Sequence, residues 1–140
     1  MTPEEVESRR ATIRRLFGAV SAGDFAGAVA LFSDDEPTYS FPRALGRDPC
    51  RGKEAIRALY EQMSARFVAP LQFVPREVLI EGNLGMIEWD HSATTRAGNA
   101  YRNSGVHVIE FAPDGRIQHV RAYLDSSPLT RLNPLEAGKG

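Results

Sequence analysis

The sequence predicts an α+β fold in which helices come first and then cover one face of an antiparallel sheet. Two observations carry this. Up to about residue 67 the apolar residues recur at helical spacing, and from Leu71 onward they follow the shorter period of strands. Turn signals at Glu81-Gly82-Asn83, Gly98-Asn99 and Pro113-Asp114-Gly115 then divide the second half into long, evenly spaced runs.

Taken in order, Val6, Ile13, Leu16, Phe17 and Val20 make one apolar stripe, and Ser21-Ala22-Gly23 ends that helix. Asp24 is placed to cap a short second helix carrying Phe25, Ala28, Val29, Leu31 and Phe32. Pro37 to Pro42 is an extended piece between two prolines, and the stretch from Arg43 to Arg51 reads as a surface loop. A third helix is expected from Lys53 to Phe67, with Ile56, Leu59, Tyr60, Met63 and Phe67 on one side. Strands are expected over Leu71–Glu81, Met86–Thr95, Tyr101–Ala112 and Arg116–Asp125. The domain is expected to span 1–127, with 128–140 as a tail rich in proline and glycine.

Hairpin geometry singles out the candidate site. Gly98-Asn99 suits a two-residue turn with glycine first. That register sets Asp90 opposite His107, Ser92 opposite Gly105, Thr94 opposite Asn103 and Glu88 opposite Ile109. A turn at Asp114-Gly115 sets His107 opposite Ala122 and Glu110 opposite His119. One face would then mix a carboxylate, an imidazole and small polar groups with apolar ones, like a pocket lining. The other face carries Ile87, Trp89, His91, Val106, Val108, Glu110, His119, Arg121, Tyr123 and Asp125, and with Trp89, two valines and Tyr123 it is not plainly a solvent face. A homodimer through the Trp89 face is the expectation that follows.

A carboxylate opposite an imidazole is a reasonable general-base unit, because it fixes the tautomer and stabilises the protonated ring. His107 is the candidate base, Asp90 its orienting partner and Tyr39 a candidate donor. Ser92 and Asn103 are candidates for positioning substrate. Glu88 is a possible second acid or the partner of Arg76. The plainer reading, a buried ion pair that only organises the sheet, has about even weight. His91 reads as an interface or surface residue, and His119 with Glu110 as an outer cross-strand pair.

Composition bounds the partners. With 42% apolar and 25% charged residues and a net charge of −1, no global field favours nucleic acid or an anionic membrane. Arg9, Arg10, Arg14 and Arg15 read as the solvated side of the first helix. Cys50 is the single cysteine, so no internal disulfide forms. No apolar run approaches a membrane span, and Met1-Thr2-Pro3-Glu4-Glu5 lacks a signal-peptide pattern, so a soluble cytoplasmic protein is expected. No tight metal motif supports Asp90, Glu88 and His107 as ligands, and no phosphate cradle is present, so neither metal nor cofactor is expected.

Several stretches together resemble the nuclear transport factor 2 superfamily, in its SnoaL-like and ketosteroid-isomerase-like branch. They are Val20-Ser21-Ala22-Gly23-Asp24, Ala30-Leu31-Phe32-Ser33-Asp34-Asp35, Gly52-Lys53-Glu54-Ala55-Ile56-Arg57 and Tyr60. Tyr101-Arg102-Asn103, Phe111 to Ile117 and Val120-Arg121-Ala122-Tyr123-Leu124-Asp125 complete the set. The resemblance implies a curved sheet around a conical cavity closed by the three helices, usually in a homodimer. It leaves the chemistry open, because this fold hosts many functions.

The resemblance also maps family positions onto this chain. The oxyanion-hole tyrosine of ketosteroid isomerases falls on Leu16, their base on Ser40 or Phe41, and their protonated acid on His107. The catalytic pattern of limonene-epoxide-hydrolase-like members falls on Glu88-Trp89-Asp90 and on Ala122, so only Asp90 is retained. Leu16, Phe41 and Ala122 are thereby candidate substrate contacts. The expectation is cofactor-free isomerisation, dehydration or cyclisation of a hydrophobic cyclic molecule, with a non-catalytic ligand-binding or dimerisation module as the alternative.

Overall fold

In the computed structural model, residues 1–42, 46–125 and 128 are described, with the backbone alone at 69 and 70. The expected boundary between 127 and 128 falls beside residues outside the described ones. Helix α1 (Pro3–Ala22) starts from a capping box in which Thr2 and Glu5 bond reciprocally, and stops at Gly23 in the left-handed region. Asp24 accepts the Gly27 N–H and so caps α2 (Phe25–Ala30). Strands β1 (Thr38–Ser40) and β2 (Cys50–Arg51) follow, then α3 (Lys53–Ser64) and four longer strands. These are β3 (Phe67–Glu81), β4 (Leu84–Thr95), β5 (Ala100–Phe111) and β6 (Ile117–Leu124). Phe67 thus begins a strand rather than closing a helix, and β2 lies in the stretch read as loop.

The sheet order is β2-β1-β6-β5-β4-β3. Its long strands form the expected antiparallel meander, and β1 joins β6 in parallel, so that Tyr39 faces Val120. Register shifts in β3 between Val68 and Gln72 and between Pro75 and Val78 bend the sheet. Pro75 cannot donate to the ladder, which suits it to the edge strand it occupies. The sheet curls into a half-barrel, and the helices lie in its concave side. Ile13, Leu16, Phe17 and Val20 of α1 pack there with Phe32, Ile56, Leu59, Ile87, Ile109, Ile117 and Val120. Fully burying each such side chain is worth about 1.5–3 kcal/mol. Arg9 departs from the solvated-face reading: it is buried, with its guanidinium over the Phe111 ring.

The turn between β4 and β5 decides what faces inward. Its loop has three residues, Arg96, Ala97 and Gly98, closed by Thr95 N–H donating to Asn99 O at 2.8 Å and Gly98 N–H donating to Thr95 O at 2.9 Å. Gly98 takes the left-handed conformation at φ 89° that such loops require. Asp90 therefore pairs with Ser104, and His107 with Ile87. This is an offset of three positions from the two-residue-turn register, and an odd offset turns every β4 side chain to the other face. Ile87, Trp89 and His91 point into the cone, while Glu88, Asp90 and Ser92 point out. The β5–β6 pairing is as expected, with His107 opposite Ala122 and Glu110 opposite His119. Glu110, however, bonds Arg121, and His119 Nδ1 meets Thr38 Oγ1 at 2.6 Å.

This overturns the Trp89 face as a dimer surface, because the indole is only 4% exposed inside the core. Gly105 lies directly opposite Trp89, and a Cβ there would sit 2.6 Å from the indole and 2.3 Å from the Tyr123 carbonyl oxygen. Both contacts are far inside van der Waals distance. Gly105→Ala is therefore expected to cost about 1–3 kcal/mol of stability and to displace the indole. Thermal denaturation and tryptophan fluorescence check this; an unchanged melting curve and emission maximum would refute the packing.

Candidate functional site

Beneath the helices lies a cavity of about 380 Å³, within the size range of small-molecule sites. Leu16, Phe17 and Val20 line it from α1, and Leu59, Tyr60 and Met63 from α3. The sheet supplies Phe73, Trp89, His91, Tyr101, Asn103, His107 and Ala122, with Tyr39 and Phe41 from around β1. The wall mixes aromatic and aliphatic side chains with polar groups, Arg47, Gln62 and Arg66 among them.

His107 is one of the buried polar groups in this wall. Its Nδ1 accepts the Trp89 indole N–H at 2.8 Å, and its Nε2 lies 2.9 Å from the Tyr39 hydroxyl. The ring is 6% exposed and packed against Phe17, Trp89 and Tyr39. Burial lowers its pKa to about 4, although the Val106 backbone favours the protonated form. His107 is thus neutral at pH 7, with both ring nitrogens held within the protein. Burial, and secondarily the nearby Cys50 thiol, pushes the Tyr39 hydroxyl above its ordinary pKa, so it stays a protonated phenol.

His91 forms the next part of the wall. It stacks on Phe73 with centroids 3.9 Å apart, and meets Phe67 and Tyr101 edge-on at 5.5 Å each. Its Nε2 is shielded and has no hydrogen-bond partner among the described residues. Burial takes this imidazole to about 4 as well. Asn103 donates to the Tyr101 hydroxyl at 3.0 Å and to the Asp125 carbonyl at 3.1 Å, so it is held rigidly at the cavity edge.

Of the residues singled out from sequence, Leu16, Tyr39, Phe41, Asn103, His107 and Ala122 line the cavity. Asp90, Glu88 and Ser92 do not. The Asp90 carboxylate accepts Arg76 Nε at 2.9 Å and Nη2 at 2.7 Å on the outer surface, where Glu88 is 3.7 Å from the same guanidinium. Ser92 contacts Gln72 there at 3.4 Å. The Asp90–His107 unit is therefore not formed, since the two side chains leave opposite faces of the sheet. Such exposed ion pairs contribute about 0–1 kcal/mol. Sequence reasoning missed Trp89 and His91 as cavity residues. The signal was present in β4 itself: Ile87, Trp89, His91 and Ala93 alternate with Glu88, Asp90, Ser92 and Thr94, and the less polar set belongs inside. Among the described residues, no group of three His, Cys, Asp or Glu could hold a metal ion.

Both buried imidazoles have folded-state pKa values near 4, against about 6.5 unfolded. Between these values the unfolded chain binds more protons, so stability is full above about pH 6.5 and is lost as pH falls toward 4. Fully expressed, shifts of this size are each worth on the order of 3 kcal/mol. The melting temperature is expected to fall steeply across that window, and His91→Phe to flatten the fall. A flat profile down to pH 4.5 would contradict neutral burial of the two rings.

A profile for the SnoaL-like domain matches residues 13–120. No curated protein matches the chain. Among solved structures, a candidate isomerase from Bacillus subtilis superposes with a TM-score of 0.79 at 23% identity, covering 96% of this chain and 96% of its own. A candidate SnoaL-like polyketide cyclase from a Jannaschia species has a TM-score of 0.79 at 16% identity, covering 93% of each chain. An epoxide hydrolase from M. tuberculosis, like limonene epoxide hydrolase, has a TM-score of 0.73 at 20% identity, over 91% of this chain and 90% of its own. At these identities the likeness concerns the fold, and the profile match across most of the sequence shows the family: the chain belongs to the SnoaL-like domain family.

Proposed function

We propose that this protein is a small-molecule enzyme of the SnoaL-like class, performing cofactor-free acid/base chemistry on a hydrophobic cyclic substrate held in the cone. The reaction class is isomerisation, dehydration or cyclisation. The observation that carries this reading is the buried Tyr39–His107 pair set into the wall of a largely apolar cavity. Tyr39 is the group that meets substrate oxygen, and His107 supports it from behind. Leu16, Phe41 and Ala122 shape the apolar wall, and Asn103 presents a second polar point in it. Asp90, Glu88 and Ser92 take no part. A positioned proton donor of this kind contributes typically about 10²–10⁴-fold in rate.

Deuterium exchange at the carbon beside the carbonyl of indan-1-one, followed by proton NMR, tests the reading. Wild-type protein should accelerate exchange above buffer, with solvent taking the carbon-bound proton while Tyr39 donates to the developing enolate oxygen, and Tyr39→Phe should lower that acceleration by at least about 10²-fold. Equal acceleration by the variant would remove Tyr39 from the chemistry. A second reading, non-catalytic ligand binding, is favoured by one observation: no carboxylate lines the cavity among the described residues. It predicts saturable binding of the ketone without faster exchange.

Association also belongs to this proposal, with the surface moved to the convex face. Val74, Leu79, Met86 and Tyr123 remain 46–64% exposed there or along its edge. A homodimer that covers them is the expectation. Sedimentation velocity at micromolar concentration should give a dimer that Val74→Asp with Met86→Asp dissociates; a wild-type monomer would refute it.

A further inference from the structure

The hydrogen bonds behind Tyr39 have a direction, and it follows from a residue that need not touch the ligand. An indole N–H only donates, so the Nδ1 that receives it at 2.8 Å must present its lone pair. A neutral imidazole carries one proton, which is then on Nε2. Nε2–H therefore donates to the Tyr39 oxygen at 2.9 Å. The Tyr39 oxygen accepts that hydrogen bond, and its own proton has no acceptor among the described residues. Tyr39 lines the cavity, so that proton is available to whatever occupies it.

We propose that Trp89 is a specificity-determining positioning residue: by fixing His107 as the Nε2–H tautomer it makes Tyr39 a hydrogen-bond donor, so the cavity selects ligands that present an acceptor oxygen, such as cyclic ketones, quinones or esters, over ligands that present a donor. The proposal rests on the cavity being the ligand site. Were the indole absent, Nδ1 could carry the proton, Tyr39 would donate to the bare Nε2, and its oxygen would face the cavity as an acceptor. The two tautomers thus correspond to opposite polarities at the same phenol. Gly105 belongs to the same device, since its missing side chain leaves the space in which the indole reaches His107.

The inference predicts discrimination between two bicycles of similar size, indan-1-one, which only accepts, and indole, which only donates. Nitrogen-15 NMR of wild-type protein should show the His107 proton on Nε2, a measurement that needs no variant. Titrations should show indan-1-one bound at least about tenfold more tightly than indole, equivalent to about 1.4 kcal/mol. Trp89→Phe should move the proton toward Nδ1 and erase or reverse that ratio. The ratio is the readout, because lost packing would weaken both ligands alike. A wild-type proton on Nδ1, or a ratio unchanged when the tautomer changes, would overturn the inference and leave the cavity reading standing. Failure of both bicycles to bind wild-type protein would overturn the cavity reading, and the inference with it.

Discussion

The closed pair Thr95–Asn99, with Gly98 at a positive φ, is the constraint on which the inside of this protein depends. A strand presents alternate side chains to opposite faces, so the length of one loop decides which half of β4 enters the cone. With three loop residues, Ile87, Trp89 and His91 enter, and Glu88 and Asp90 stay in water beside Arg76. A two-residue loop would bury two carboxylates and expose an indole, at a cost of several kcal/mol for each unpaired charge. The turn chemistry and the polarity pattern of β4 therefore point to the same register.

That register gives the cavity its electrical character. A carboxylate against His107 would have favoured the charged ring; the indole supplies a hydrogen bond without a charge, and burial keeps the ring neutral. His91, stacked on Phe73 and edged by Phe67 and Tyr101, is neutral for the same reason. Neutral imidazoles and aromatic faces thus make the wall around His107, while Arg47 and Arg66 also line the cavity. Such imidazoles and rings, held by packing and hydrogen bonds, need little reorganisation when a ligand arrives.

Curvature makes room for that site. The β3 register shifts bend the sheet, and α1 and α3 close the concave side without filling it. Strand β1 is short, but its parallel pairing with β6 sets Tyr39 across from Val120 and so brings the phenol to His107. A distant short strand and a hairpin thus meet through one hydrogen-bonded string.

Much of the architecture was legible in the chain because it is written in local signals. The stripe from Val6 to Val20, the Gly23 stop, the Asp24 cap and the alternation of β5 and β6 each reflect a periodicity or a backbone preference that neighbouring residues determine. The cavity membership of Leu16, Tyr39, Phe41, Asn103, His107 and Ala122 was anticipated, and the β5–β6 register with it. The partner of His107 was not. Gly98-Asn99 is compatible with both a two-residue and a three-residue loop, and the choice between them depends on whether Trp89 or Asp90 can be buried against helices far along the chain. Local sequence determined the elements and their faces up to a register. Tertiary packing decided the register, because only the assembled cone sets the free energy of placing an indole or a carboxylate inside it.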